Sequence, residues 1–152
     1  MTLHMTVERR QRPPWRRRLL PGAAVWSSRA LIAMTSPYRL EAVLRRLATG
    51  ARPATYADAL RARDDVVAVS LRCAGQYCLQ RSVAVALLTR ARGRWADWVS
   101  GVNLQPFAAH AWVEVDGRPV GEPLDLTGFQ RNIVVPCRDT TGNDQRKGRN
   151  EP

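Results

Sequence analysis

The chain has 152 residues and a formal net charge of +11, from 24 basic and 13 acidic side chains. That length is one domain able to bury a core of its own, which excludes a two-domain enzyme and makes disulfides or a structural metal unnecessary for stability. No stretch of about 18 residues is free of both charge and proline, so no membrane span is expected, and three unevenly spaced cysteines do not form a secreted disulfide framework. The expected compartment is the cytoplasm, where thiols stay reduced.

The basic excess is concentrated at the start. Arg9, Arg10, Arg12, Arg16, Arg17 and Arg18 face a single acid, Glu8, and Pro13 and Pro14 interrupt the run. Residues 1–36 read as a basic, partly disordered arm and a leading helix. Pro21 and Arg29 break the apolar stretch Leu19–Met34, and no small-residue cleavage site follows, so it is not a signal peptide. The arm's charge permits weak contact with an acidic surface or an anionic membrane. No nucleic-acid motif follows it, so no nucleic-acid partner is expected.

The body is placed at residues 37–137. Pro37, Leu40, Val43, Leu44 and Leu47 have helical spacing, and Gly50 stops that helix. Thr55 and Asp58 have capping-box spacing ahead of a helix running toward Leu71, with Leu60, Val67 and Leu71 as its apolar face. Cys73 to Gln76 reads as a loop. A helix follows from Cys78 to about Arg90, with Leu79, Val83, Ala86 and Leu87 as the buried stripe and Gly93 as its stop.

After Gly93 the period changes. Trp98–Val102 reads as a strand, Asn103–Phe107 as a connection, and His110–Val115 as a strand rich in β formers. Asp116-Gly117 is a hairpin signal, with residues 118–122 returning as the partner strand and Ile133–Val135 as one more short strand. N-terminal helices followed by a small antiparallel sheet make the class α+β. Residues 138–152 contain no large apolar side chain and read as a disordered polar tail.

Two histidines are present, and His4 is in the arm, which leaves His110 as the imidazole for a buried site. Cys78 falls at a helix start, where the helix dipole and free backbone N–H groups favour a thiolate. The Cys78 backbone N–H is the natural donor to an oxyanion formed when that thiolate attacks a carbonyl, with Gln76 as a weaker second donor. His110 at a strand start can take the thiol proton and later protonate a leaving amine. A carboxylate on the next strand would orient the imidazole. A two-residue Asp116-Gly117 turn puts His110 opposite Pro123 and Asp125 on its face, whereas a bulged three-residue turn puts Glu122 there. Phe107 is a candidate for lining a peptide groove, and Arg81 for meeting a substrate carboxylate. A zinc site from Cys73, Cys78, His110 and Cys137 lacks the paired short spacings such sites use, so no metal or other cofactor is expected.

Residues 73–88, CAGQYCLQRSVAVALL, and 106–122, PFAAHAWVEVDGRPVGE, together resemble the stand-alone transglutaminase-like leader peptidases of lasso-peptide biosynthesis, the protease half of a split B protein. The resemblance runs from about Pro37 to Val135 and implies a papain/transglutaminase-like core. It maps the nucleophile onto Cys78, the general base onto His110, and the third member, usually Asp in that family, onto Glu122, with Asp125 as the runner-up. It implies an endopeptidase acting on a ribosomally made precursor peptide, beside a separate leader-recognition protein and an ATP-using lasso cyclase. The same triad also serves acyl transfer to an amine, and a non-catalytic peptide-binding scaffold is the third alternative.

Overall fold

The computed structural model describes residues 18–138. His4, the arm from Arg9 to Arg17 and the tail beyond Arg138 lie outside the described residues. The helices are α1 (Leu19–Met34), α2 (Pro37–Ala48), α3 (Tyr56–Val69), α4 (Leu71–Ala74) and α5 (Cys78–Ala91). The strands are β1 (Arg52–Pro53), β2 (Arg94–Trp95), β3 (Asp97–Leu104), β4 (Phe107–Val115), β5 (Arg118–Pro119) and β6 (Gln130–Val135). Helices come first and an antiparallel sheet of order β5-β4-β3-β6 follows, so the fold is α+β. A short parallel pair, β1 with β2, was not visible in the sequence: it brings Arg52 beside Arg94 and brackets α3–α5.

Local chemistry explains the helix starts. Ser36 caps α2 by accepting from the Arg39 N–H, and Pro37 occupies a position where no backbone donor is needed. At α3 the Thr55 hydroxyl accepts from the Asp58 N–H while the Asp58 carboxylate accepts from the Thr55 N–H. Two orphan donors are satisfied by that exchange.

Packing departs from the one-sided stripes expected of α3 and α5. Helix α5 lies between α1 and α3 on one side and β4 on the other. Val83, Ala84, Val85, Ala86 and Leu88 are all buried, as are Gln80, Arg81, Ser82 and Thr89. Its many small side chains let neighbours approach from all sides, and Leu79, expected in the core, is exposed at the helix start. Helix α3 buries Ala59, Ala62, Val66 and Val67 and packs Leu60 partly against the core, so of the expected Leu60–Val67–Leu71 face only Leu71 departs. Ser70 adopts an extended conformation that ends α3 and caps α4, which swings Leu71 outward. Residues 73–76 are accordingly not all loop, since Cys73 and Ala74 belong to α4.

Helix α1 buries Pro21, Ala24 and Ser28 and packs on α5 and α3, so the folded body begins well before residue 37. Two indole N–H groups fasten the sheet to its surroundings. Trp98 Nε1 donates to the Ser82 hydroxyl on α5 at 3.0 Å, and Trp95 Nε1 donates to the Val135 carbonyl at 3.1 Å. The first of these ties β3 to α5 one turn beyond Cys78.

Candidate active site

Cys78 is the first residue of α5, and His110 is the fourth residue of β4. The sheet brings the imidazole to the helix tip, where the thiol takes hydrogen bonds from His110 and from the Ala111 backbone. Burial by itself pushes the Cys78 thiol up. The hydrogen bonds, with the positive charges of His110 and Arg81, outweigh burial and bring it below its ordinary 9.0. For His110, burial works against the charged form, but the hydrogen bonds and negative charge of Cys78 and Glu122 raise it to about 9. The two shifts have opposite directions, and both favour the thiolate–imidazolium form of the pair.

The carboxylate on His110 belongs to Glu122, whose Oε2 lies 2.7 Å from His110 Nε2. Nε2 is thereby occupied, and Nδ1 is the nitrogen left for the thiol. Asp125 is exposed and accepts from the Thr127 backbone N–H and hydroxyl, which holds its carboxyl below the usual range.

The register argument connecting turn length to this choice does not hold. Asp116 and Gly117 form the two-residue turn, with φ of 51° and 74°, and pair Val115 with Arg118 and Glu114 with Pro119. That register would point to Asp125 if the ladder continued. The ladder instead ends at Pro119, apart from the Val120 N–H to Val113 carbonyl bond, so residues 118–122 are not one strand. Gly121 takes a φ of 60° and redirects the chain so that Glu122 turns onto His110. A Cβ at Gly121 would lie 2.8 Å from Arg63 Cδ and 3.0 Å from Leu60 Cδ1. Its N–H donates to the Tyr56 hydroxyl at 3.3 Å, fixing the bend against α3.

Arg81 is buried, and its guanidinium is engaged within the protein instead of being held out for a substrate carboxylate. Its Nη1 donates to the Cys73 and Gly75 carbonyls at 3.3 and 3.1 Å, and Nη2 lies 3.5 Å from Glu122 Oε2. One guanidinium thus joins the segment preceding the nucleophile to the carboxylate that holds the imidazole. The signal that could have found it is an arginine one turn after Cys78 on an otherwise apolar helix.

Trp112 was also legible only as a core residue. It shares the strand face of His110 and stacks on it, with ring centroids 5.9 Å apart, while Phe129 meets both rings edge-on. The buried Trp112 Nε1 donates to Glu114, which is paired with Arg131. Alternation along the strand could have placed Trp112 beside the imidazole; Phe129 has no such signal.

Tyr77, with φ −84° and ψ 63°, forms an inverse γ-turn that directs the Cys78 N–H onto the Gln76 carbonyl at 2.9 Å. That N–H is committed in this conformation, and Gln76 supplies a carbonyl acceptor to the site. Phe107 is 77% exposed at the β3–β4 hairpin tip, where it pairs with Leu104, so it takes no packing role. All three cysteines are free thiols; Cys73 is fully buried, with burial raising its pKa, and Cys137 donates to the Ala51 carbonyl.

A thiol at a helix N-terminus facing an imidazole on an antiparallel sheet is the architecture of the papain and transglutaminase class. The model of the transglutaminase-like superfamily matches residues 23–134, and the chain belongs to that superfamily, which includes cysteine proteases and acyltransferases. Searches of curated proteins and of solved structures found no match. Among the described residues no helix is long and apolar enough to cross a membrane.

Proposed function

We propose that this protein is a cysteine endopeptidase that removes the leader from a lasso-peptide precursor. The observation that carries the chemistry is the linked set Cys78–His110–Glu122, with the thiol lowered and the imidazole raised to about 9. The sequence resemblance around Cys78 and His110 supports the substrate class.

The Cys78 thiolate attacks the scissile carbonyl, forming a C–S bond and an oxyanion at the positive end of α5. The Cys78 N–H joins as donor when the γ-turn to Gln76 opens. The tetrahedral intermediate collapses, the C–N bond breaks, and His110 passes its proton to the leaving core amine. His110 then takes a proton from water, whose oxygen attacks the thioester and releases the leader as a carboxylic acid with Cys78 restored. The freed amine is the group a lasso cyclase needs for macrolactam formation. Glu122 holds the imidazole and offsets its charge throughout.

Specificity comes from a separate leader-recognition protein, the partner that the sequence resemblance implies. Tethering by such a partner raises the local substrate concentration to roughly millimolar. The test is to mix the protein with a candidate precursor, with and without its leader-binding partner, and read masses. Cleavage on adding the partner, weakened at low salt by deleting residues 1–18, is expected. Cys78→Ala should bind precursor without cutting it. Transfer of the acyl group to an added amine in preference to water would make the protein an acyltransferase, and full function in Cys78→Ala would make it a scaffold.

A further inference from the structure

We propose that the groove between α1 and α4 is a docking site for an extended, acidic and apolar segment of the substrate peptide, a proposal that rests on the peptidase reading above. The groove encloses about 330 Å³, at the small end of ligand pockets. Its walls are Val25 and Trp26 of α1 and Leu71 of α4, with Trp26 70% and Leu71 71% exposed. Side chains of that size turned to water on facing walls are unusual for a surface with no partner.

Charge selects the occupant. Arg29 lies over the Trp26 ring at 5.7 Å, and Arg72 lies over the Tyr77 ring at 5.1 Å. Both arginines line or border the groove, and none of its lining residues is an acid. The aromatic rings hold the two guanidinium groups flat and leave their edges free for carboxylates, which they match in bidentate geometry.

The floor adds an independent observation. Gln80 lines the groove and is only 7% exposed, so its carboxamide stands at the floor between α1 and α4. A carboxamide presents one acceptor and two donors, the set needed to pair with the N–H and C=O of an extended peptide.

Position connects the groove to the nucleophile. Gln80 lies two residues after Cys78, and successive helical positions turn by about 100°, so Gln80 faces α1 while Cys78 faces β4. A peptide lying in the groove crosses the tip of α5 beside Tyr77 to reach the thiol. With a helix about 10 Å across and an extended rise of about 3.3 Å per residue, roughly three residues span that distance.

Binding is read by fluorescence anisotropy on the full chain carrying Cys78→Ala. The probe is a fluorescein-labelled synthetic peptide of alternating Leu and Glu, and the control has Lys in place of Glu. The Glu peptide should bind about tenfold more tightly than the Lys peptide, and added salt should narrow the gap. Arg29→Glu and Arg72→Glu, both at exposed positions, should each weaken the Glu peptide about tenfold, and Gln80→Leu should weaken both peptides alike. Equal affinity for the two peptides, or Arg variants that bind as before, would overturn the proposal. Iodoacetamide labelling of Cys78, with the thiol present and the same groove variants, separates this from the peptidase reading. An inert Cys78 in the otherwise unaltered protein defeats both, whereas a reactive Cys78 with no peptide preference defeats the groove alone.

Discussion

Glu122 reaches His110 Nε2 at 2.7 Å from outside the β4–β5 ladder, which ends at Pro119. The carboxylate is 5% exposed, and Arg81 lies on its other side. Glu122→Gln should therefore lower turnover about 10³-fold with the fold retained, as removing the orienting acid of a triad does. Asp125→Asn, at an exposed position bound to Thr127, should change turnover by less than about threefold. Steady-state rates and thermal melts of the two variants check this, and the reverse ranking would move the orienting role to Asp125.

Thiol selectivity is a second expectation. Cys78 is lowered below 9.0 and Cys73 is raised above it by burial, so iodoacetamide at neutral pH should label Cys78 first. His110→Ala removes the hydrogen bond and the positive charge, and the Cys78 inflection should move upward. Peptide mapping after labelling across a pH series reads both effects.

The imidazole also makes stability depend on pH. His110 titrates at about 9 in the folded chain, above an unfolded value of about 6.5. Its pairing contributes stability that is fully present below about 6.5 and disappears as pH rises through about 9. Urea denaturation should show the difference between the unaltered protein and His110→Ala shrinking over that window. A difference that grows with pH would contradict the assignment.

Arg81→Met should destabilise the protein by about 1–3 kcal/mol, the cost of leaving the Cys73 and Gly75 carbonyls unpaired and Glu122 with His110 alone. It also removes a positive charge near Cys78, so the thiol inflection should rise in whatever fraction remains folded. Arg81→Lys keeps the charge but cannot serve two carbonyls and a carboxylate together, and should recover the inflection better than the stability.

Gly121→Ala combines a left-handed φ with a Cβ pressed against Arg63 and Leu60. A loss of about 1–3 kcal/mol is expected. Turnover should fall further than this loss alone accounts for, because the bend at Gly121 aims Glu122. Comparing turnover at a temperature where the variant is still fully folded separates the two effects.

The elements with local signals were the legible ones. The Thr55–Asp58 box, the helix start at Cys78, the Asp116-Gly117 turn and the strand carrying His110 each follow from neighbours within a few residues. What eluded the sequence depends on contacts far along the chain. Leu71 turns outward because Ser70 ends α3, and Leu79 is exposed because α5 is covered on several sides elsewhere. The choice between Glu122 and Asp125 turned on where β5 leaves the ladder, which Gly121, Tyr56 and Arg63 decide together. Arg81 lies in the core because two carbonyls and Glu122 satisfy it, a circumstance no hydrophobic pattern encodes. The γ-turn at Tyr77 is likewise a tertiary outcome.

Helix α5 is enclosed by other elements along most of its length, whereas residues 123–128 lie mostly at the surface with little regular structure. Amide protons of α5 should exchange only through global unfolding, while those following Glu122 should exchange through small local openings. The nucleophile and its orienting carboxylate consequently sit in regions of unequal cooperativity. On gentle warming the loop can release His110 while the thiol stays in place on its helix, so catalysis should fade at temperatures where circular dichroism still reports an intact fold.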